Sequence, residues 1–162
     1  RGLAQALEAH LSALPLAQDP GAKAIGVKIS GCPNSCGQHH IADIGFYGSS
    51  RKVGEREVPH YVLLLGGRTR EGEARFGQVV GRIPARRVPE AVERILKRYL
   101  EERQNGESFQ AYLDRVGAAS FKPLLQDLQE VPPYEEAPEF YQDLGAEGEA
   151  FSVQLGRGEC AV

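Results

Sequence analysis

The segment PHYVLLL, residues 59–65, restricts the possible fold more than any other part of the sequence. Almost every side chain in it is apolar, so a strand formed here has to bury both of its faces. We therefore predict that it is a central strand of a sheet. Residues 24–30 alternate apolar side chains with others, and residues 42–48 form another strand-like run, which predicts two further strands. The charged segment SSRKVGERE is predicted to be the link between the last two strands.

Apolar residues at helical spacing predict helices on either side of these strands. The first stripe predicts a helix over residues 2–14 that ends before Pro15, and a later stripe predicts a helix over residues 89–103. A shorter helix is predicted after Gly106. Before the second helix, GGRTREGEARFG, residues 66–77, is predicted to be a flexible or ligand-facing loop.

This order of elements predicts an α+β fold. Short connections between the elements favour a mainly antiparallel sheet with helices packed on one face, formed by residues 1–122. After that point the sequence becomes rich in Pro and Glu, and residues 123–162 are predicted to form an extended C-terminal tail.

Charge and composition argue against several classes of function. The net charge of the 162 residues is −3, and the 19 Lys and Arg are dispersed among acidic residues, so no basic surface for nucleic acid is predicted. No apolar run reaches the roughly 18 residues of a membrane-spanning helix.

Three cysteines are too few for a disulfide scaffold and suit a reducing cytoplasm, where thiols bind metal or stay free. The sequence starts at Arg1 and contains no Met, so we expect it to be a fragment of a longer chain.

The segment GCPNSCGQHH, residues 31–40, carries the clearest chemical pattern. Cys32 and Cys36 are three residues apart in a loop stiffened by Pro33, so both sulfurs can face one metal centre, as iron–sulfur and zinc sites require. The spacing alone leaves a short disulfide or two unligated thiols as alternatives. A zinc site would need His39 and His40 as further ligands, but adjacent residues of an extended segment point to opposite sides.

The longer segment ISGCPNSCGQHHIADIGFYG, residues 29–48, resembles the second cysteine motif of the nitrite and sulfite reductases that contain sirohaem and a [4Fe–4S] cluster. YVLLLGGR, RIPARRVPEAVERIL, NGESFQAYLDRVGAASF and the closing GRGECAV also resemble the C-terminal part of that family. In the family, four cysteines hold the cluster, as a C-x5-C pair and a C-x3-C pair. Only the second pair is present here, so we expect the isolated chain to lack intact cofactors and to be inactive without the upstream half of its polypeptide.

The resemblance implies separate roles for the two motif cysteines. Cys32 would bind a cluster iron, and Cys36 would be the thiolate that bridges the cluster to the sirohaem iron. Reduction of nitrite to ammonia, or of sulfite to sulfide, takes six electrons delivered singly, and such a bridge couples an electron store to the iron that holds the substrate.

Other residues are candidates for cofactor contacts by the same resemblance. Asn34 matches a position beside the cofactors, although it can equally close an Asx turn after Pro33. Gln38 and the GGR segment, Gly66, Gly67 and Arg68, are candidates to hold sirohaem carboxylates, because amides and a guanidinium bind carboxylates.

Several polar residues are predicted to lie outside the site. No catalytic residue is assigned, because the family's anion-binding Arg and Lys lie mostly upstream of this chain. Arg82, Arg86 and Arg87 are expected to solvate the start of the second long helix, and Cys160 is expected to be a free thiol on a mobile tail.

The resemblance implies a six-electron reductase that receives its electrons from ferredoxin or a similar carrier. The letters SCGQ favour nitrite over sulfite as substrate. A stand-alone metal-binding or protein-interaction module is the alternative from another class.

Overall fold

The computed structural model describes residues 1–70, 72–146 and 148–153. The α-helices are α1 (Gly2–Ser12), α2 (Pro20–Lys23), α3 (Val88–Glu102) and α4 (Phe109–Val116). The strands are β1 (Val27–Ser30), β2 (Ile44–Val53), β3 (Arg56–Leu65), β4 (Arg68–Arg70), β5 (Glu73–Arg75) and β6 (Gln78–Pro84). Short 3-10 helices occur at Pro15–Gln18, His39–Ile41, Ala85–Arg87, Ala118–Phe121, Pro123–Leu125, Asp127–Gln129 and Pro138–Tyr141.

Four strands form the main sheet, in the order β1-β2-β3-β6. The β1–β2 pair is parallel, whereas β2–β3 and β3–β6 are antiparallel. The strand that contains PHYVLLL therefore has a partner on each side, and most of its side chains are buried. The predictions of an inner strand at this place and of a mainly antiparallel α+β fold are confirmed.

The hydrophobic core lies between one face of this sheet and the helices. The sheet contributes Ile44 and Phe46 of β2 and, directly opposite them, Leu65 and Leu63 of β3. Helix α3 forms because its apolar residues recur every three or four positions and Pro89 lies in its first turn. Its buried residues are Val88, Pro89, Ala91, Val92, Ile95, Leu96 and Tyr99.

The charged segment between β2 and β3 differs from its prediction. Instead of a loop, it continues both strands as far as a turn at residues 54–55, with Val53 opposite Arg56. The pairing of backbone groups requires no apolar side chains, so exposed residues such as Arg51 and Lys52 lie on a regular strand.

Residues 66–84 also differ from their prediction. The expected loop contains the hairpin of β4 and β5, and it is followed by β6, which apolar periodicity does not predict. The register of β6 shifts between Leu63 and Leu64 of β3, and this irregularity interrupts the alternation by which a strand is recognised. Val79 is half exposed at this place although it is apolar.

The segment after residue 122 is less extended than predicted. It contains three of the 3-10 helices, and Leu125 and Leu128 are buried in the main core. Arg87 donates to the Asp127 carbonyl (2.8 Å) and Arg86 donates to the Glu139 carbonyl (3.1 Å), so these two guanidinium groups bind the tail. A domain boundary at residue 122 stays a prediction.

Within the described residues, no helix combines the length and apolar character needed to span a membrane.

The ion pair between Arg115 of α4 and Glu107 gives a testable prediction about a pKa. Arg115 donates to both carboxylate oxygens of Glu107 (2.9 and 2.7 Å), and this hydrogen bonding lowers the pKa of Glu107 to about 2. Since the folded state binds this proton more weakly than the unfolded state, the pair contributes stability above the ordinary pKa of glutamate. That contribution is lost as the pH falls through about 2.

We therefore expect Arg115→Gln to raise the pKa of Glu107 toward its ordinary value, as measured by NMR titration of the side-chain carboxyl. Lys97→Gln, on the exposed side of α3, is the control and should leave this pKa unchanged. Equal Glu107 pKa values in the Arg115→Gln variant and the unaltered protein would contradict the assignment of the ion pair.

Candidate functional site

The cysteine loop lies in the connection between β1 and β2. Because these strands are parallel, the chain has to return from the end of β1 at Ser30 to the start of β2 at Ile44, through residues 31–43. The connection contains the whole GCPNSCGQHH segment and ends in the 3-10 helix His39–Ile41.

Both cysteines of this loop are free thiols. Cys32 is half-buried and Cys36 is exposed, so the loop is not closed by a disulfide, which was one alternative from the sequence. Cys160 lies outside the described residues.

The backbone of the loop is strained at two positions. Ser35 (φ 61°) and Gln38 (φ 58°) are the two non-glycine residues with positive φ in the part of the chain that the structure describes. The left-handed conformation costs roughly 1–2 kcal/mol for such a residue. The Gln38 N–H donates to the Ser35 carbonyl at 2.7 Å, which closes the turn after Cys36. Surrounding contacts must hold this conformation.

Two side chains of β1 supply such contacts. Ser30 Oγ accepts the Gly37 N–H at 3.1 Å, and the same oxygen lies 2.8 Å from His39 Nδ1. Lys28 Nζ donates to Gln38 Oε1 at 2.8 Å. The last strand residues before the loop are therefore bonded to the residues just after its second cysteine.

His39 is fully buried under the loop. Its ring lies 4.8 Å from the ring of Tyr47 and 4.0 Å from that of His40, measured between centroids. Burial lowers the pKa of His39, and the neighbouring His40 lowers it further. The Nε2 atom has no hydrogen-bond partner among the described residues. The imidazole is therefore held through Nδ1.

The GGR turn lies against the second half of the connection. The Gly66 N–H donates to the Asp43 carbonyl at 2.9 Å, and a Cβ on Gly67 would lie 2.3 Å from the carbonyl oxygen of His40. Only glycine permits this approach. Gln110 Nε2 donates to the Gly67 carbonyl (2.9 Å) and to the carboxylate of Asp43. The structure thus joins two segments that sequence reasoning assigned separately to the site.

Arg68 of this turn is engaged by acidic side chains. It donates to Asp114 at 2.7 Å and also to Glu73, and Asp114 accepts a further bond from Arg75 at 2.6 Å. The hydrogen bond with Asp114 raises the pKa of Arg68. Within the described part of the chain, Arg68 Nε is buried without a partner. Each terminal nitrogen of this guanidinium already donates to a carboxylate, so a ligand carboxylate would share these nitrogens with Asp114 and Glu73 or displace one of them.

The remaining candidates, Asn34 and Gln38, are exposed on the cysteine loop beside the thiols. The zinc alternative is not supported. Across residues 1–70, 72–146 and 148–153, no three or more His, Cys, Asp or Glu side chains are grouped so that they could hold a metal ion.

Sequence reasoning did not assign Ser30, Lys28, Asp43 or Gln110 to the site. The available signal was the position of Ser30 and Lys28 at the end of a strand directly before the cysteine loop. Asp43 and Gln110 are 67 residues apart, and no local pattern links them.

The two free thiols of this strand connection are soft ligands, of the kind that bind zinc, Cu(I) or iron–sulfur clusters. The family model described as "Nitrite and sulphite reductase 4Fe-4S domain" matches residues 2–131. The chain belongs to this family.

Curated relatives and a solved structure agree with this assignment. Sulfite reductase [ferredoxin] 1 of Mycolicibacterium paratuberculosis is 33% identical over 95 residues, which cover 57% of this chain and 17% of the relative. The sulfite reductase [NADPH] hemoprotein beta-component of Chromohalobacter salexigens is 32% identical over 111 residues, which cover 68% of this chain and 17% of the relative. The structure of the Mycobacterium tuberculosis NirA protein has a TM-score of 0.58 and 30% identity, and the match covers 70% of this chain and 21% of that one. This chain thus spans about a fifth or less of the length of these proteins.

Proposed function

We propose that this chain is part of a reductase that converts nitrite to ammonia, or sulfite to sulfide, with the use of sirohaem and a [4Fe–4S] cluster. The observation that carries the proposal is the free Cys32 and Cys36 pair within residues matched by the family model. The six-electron reaction is proposed for the whole protein, because this chain spans about a fifth or less of the length of its relatives. The resemblance implies four cysteine ligands for the cluster, of which this loop would supply two.

The donor set of the loop fits the cluster. Thiolates are the ligands that iron–sulfur clusters use, and neither sulfur is consumed in a disulfide. Cys32 would be a ligand of the cluster alone, and Cys36 would be the ligand shared with the haem iron. When bound, the two cofactors supply single electrons to the substrate. The role of this chain is to hold the two thiolates at fixed positions.

Neighbouring residues would contact the cofactors. Asn34 and Gln38 lie on the same loop as the thiols, and Lys28 binds Gln38 Oε1, which leaves the amide N–H groups of Gln38 to donate to a carboxylate. For Arg68 we propose a contact through a terminal nitrogen, because Nη1 and Nη2 each carry two N–H groups and donate to Asp114 and Glu73 respectively. Gly66 and Gly67 would place this arginine, because the Gly66 N–H already donates to the Asp43 carbonyl.

The choice between nitrite and sulfite rests on two observations that point in different directions. The letters SCGQ favour nitrite, whereas the matched relatives are named sulfite reductases. One relative is named for ferredoxin, which supports ferredoxin or a similar carrier as the electron donor. Location in the cytoplasm stays a prediction.

The proposal is tested with the complete reductase that contains this chain. After anaerobic purification, we expect the absorption bands of sirohaem and a cubane cluster, and reduction of at least one of the two anions by a reduced carrier. The 162-residue chain alone should show neither intact cofactor nor activity. A complete reductase without sirohaem, or a stoichiometric [4Fe–4S] cluster on the isolated chain, would contradict the proposal.

A further inference from the structure

Ser30 connects the two ends of the cysteine loop. It is the last residue of β1, it is 4% exposed, and its hydroxyl oxygen accepts the N–H of Gly37, the residue directly after Cys36. A hydroxyl group has one proton to donate in addition to its acceptor sites, and the partner within reach is His39 Nδ1 at 2.8 Å. One buried oxygen thus bonds both to the backbone and to a side chain on the far side of the loop.

His39 in turn is fixed by its surroundings. It is fully buried, and the rings of Tyr47 and His40 lie beside it. The side chain of His39 therefore has little freedom to move, and the Ser30 hydroxyl that it contacts is held in one orientation.

The loop needs such an attachment, because its backbone is strained. Ser35 and Gln38 have left-handed backbones, and they flank Cys36 and Gly37. Strained residues of this kind persist where neighbouring contacts determine the backbone. Ser30 makes one such contact at Gly37, between the two strained residues, and another at His39, directly after Gln38.

We propose that Ser30 and His39 are positioning residues that hold Cys32 and Cys36 ready for metal before any metal binds. The inference rests on the proposed function, since it concerns the thiols as ligands. A loop held in its binding conformation loses less conformational entropy when the ligand binds, and its affinity is higher for that reason.

The inference is tested on the 162-residue chain in a Cys160→Ser background, so that only the two loop thiols bind the probe. Cd²⁺ is the probe, and its binding is followed by thiolate-to-metal charge-transfer absorption. The exchange rate of the Gly37 amide, measured by NMR, reports on the loop without any metal. The variants are Ser30→Ala and His39→Phe, and the matched controls are Ser50→Ala on β2 and His10→Phe on α1.

We expect both variants to speed Gly37 exchange and to weaken Cd²⁺ binding by about fivefold each, the effect of one lost hydrogen bond. The controls should stay within about twofold of the unaltered chain. If His39→Phe does not fold, Ser30→Ala carries the test, because it removes a single buried oxygen atom.

If the exchange rate of the Gly37 amide is unchanged in the variants, the Ser30 hydroxyl does not hold the loop. If exchange is faster but Cd²⁺ affinity is unchanged, the Ser30 contacts hold the loop without positioning the thiols. Either result overturns the inference. The proposed function is judged separately by the cofactor spectra of the complete reductase, so its failure is distinguishable from the failure of the positioning role.

Discussion

Cys36→Ser in the complete reductase is expected to change the sirohaem spectrum and to lower the turnover of the anion substrate at least about 100-fold. If this thiolate links the two cofactors, serine places a harder oxygen ligand between them or leaves them unlinked. Cys32→Ser should first alter the potential or occupancy of the cluster, with activity lost as a result, because this sulfur does not contact the haem iron. Optical and paramagnetic resonance spectra at matched cofactor loading distinguish the two variants.

Cys160→Ser is the control for this comparison, and we expect it to leave both spectra and turnover unchanged. The assignment of Cys36 as the shared ligand would be wrong if Cys36→Ser kept the haem spectrum and turnover of the unaltered enzyme while Cys160→Ser lost them.

Gly45→Ala should destabilise the domain by about 3 kcal/mol, the upper end of the usual cost of overpacking. A Cβ on Gly45 would lie 2.0 Å from the carbonyl oxygen of His39, and this oxygen belongs to the backbone. Either β2 or the cysteine connection has to move. The free energy of unfolding in urea measures the loss, and the Gly37 amide shift reports whether the loop has moved.

Gly31→Ala is the matched control at the other end of the connection. A Cβ there would have no neighbouring atom within 4 Å, so we expect a change within about 0.5 kcal/mol. Equal stability of the two variants would show that the close approach of His39 to β2 does not constrain the domain.

The elements that the sequence predicts well are those whose burial is continuous. PHYVLLL is recognisable because β3 is covered on both faces, and α3 is recognisable because one stripe of it faces the core. Strand β6 is not recognisable, because Gly81, Pro84 and a register shift interrupt its pattern. The ends of β2 and β3 next to their turn were missed for a related reason, since exposed strand ends carry the same charged residues as loops.

For the site, the sequence identifies the ligands but not what holds them. The spacing and chemistry of Cys32 and Cys36 are local properties, and a short motif contains them. The hydrogen bond between Ser30 and His39 depends on how the connection folds back beneath itself. The engagement of Arg68 by Asp114 joins residues 46 positions apart, so a motif search treats this arginine as available for a ligand.

The parallel pairing of β1 and β2 has a consequence for insertions and deletions. Residues 31–43 must span the length of β1, and both of their ends are fixed by the sheet. An inserted residue in this connection would displace either the thiols or the contacts with Gly66 and Gly67. The turn at residues 54–55, in contrast, lies at the end of a hairpin and can lengthen without moving either strand. Homologous chains should therefore vary in length at the hairpin turn and keep a constant number of residues between Ser30 and Ile44.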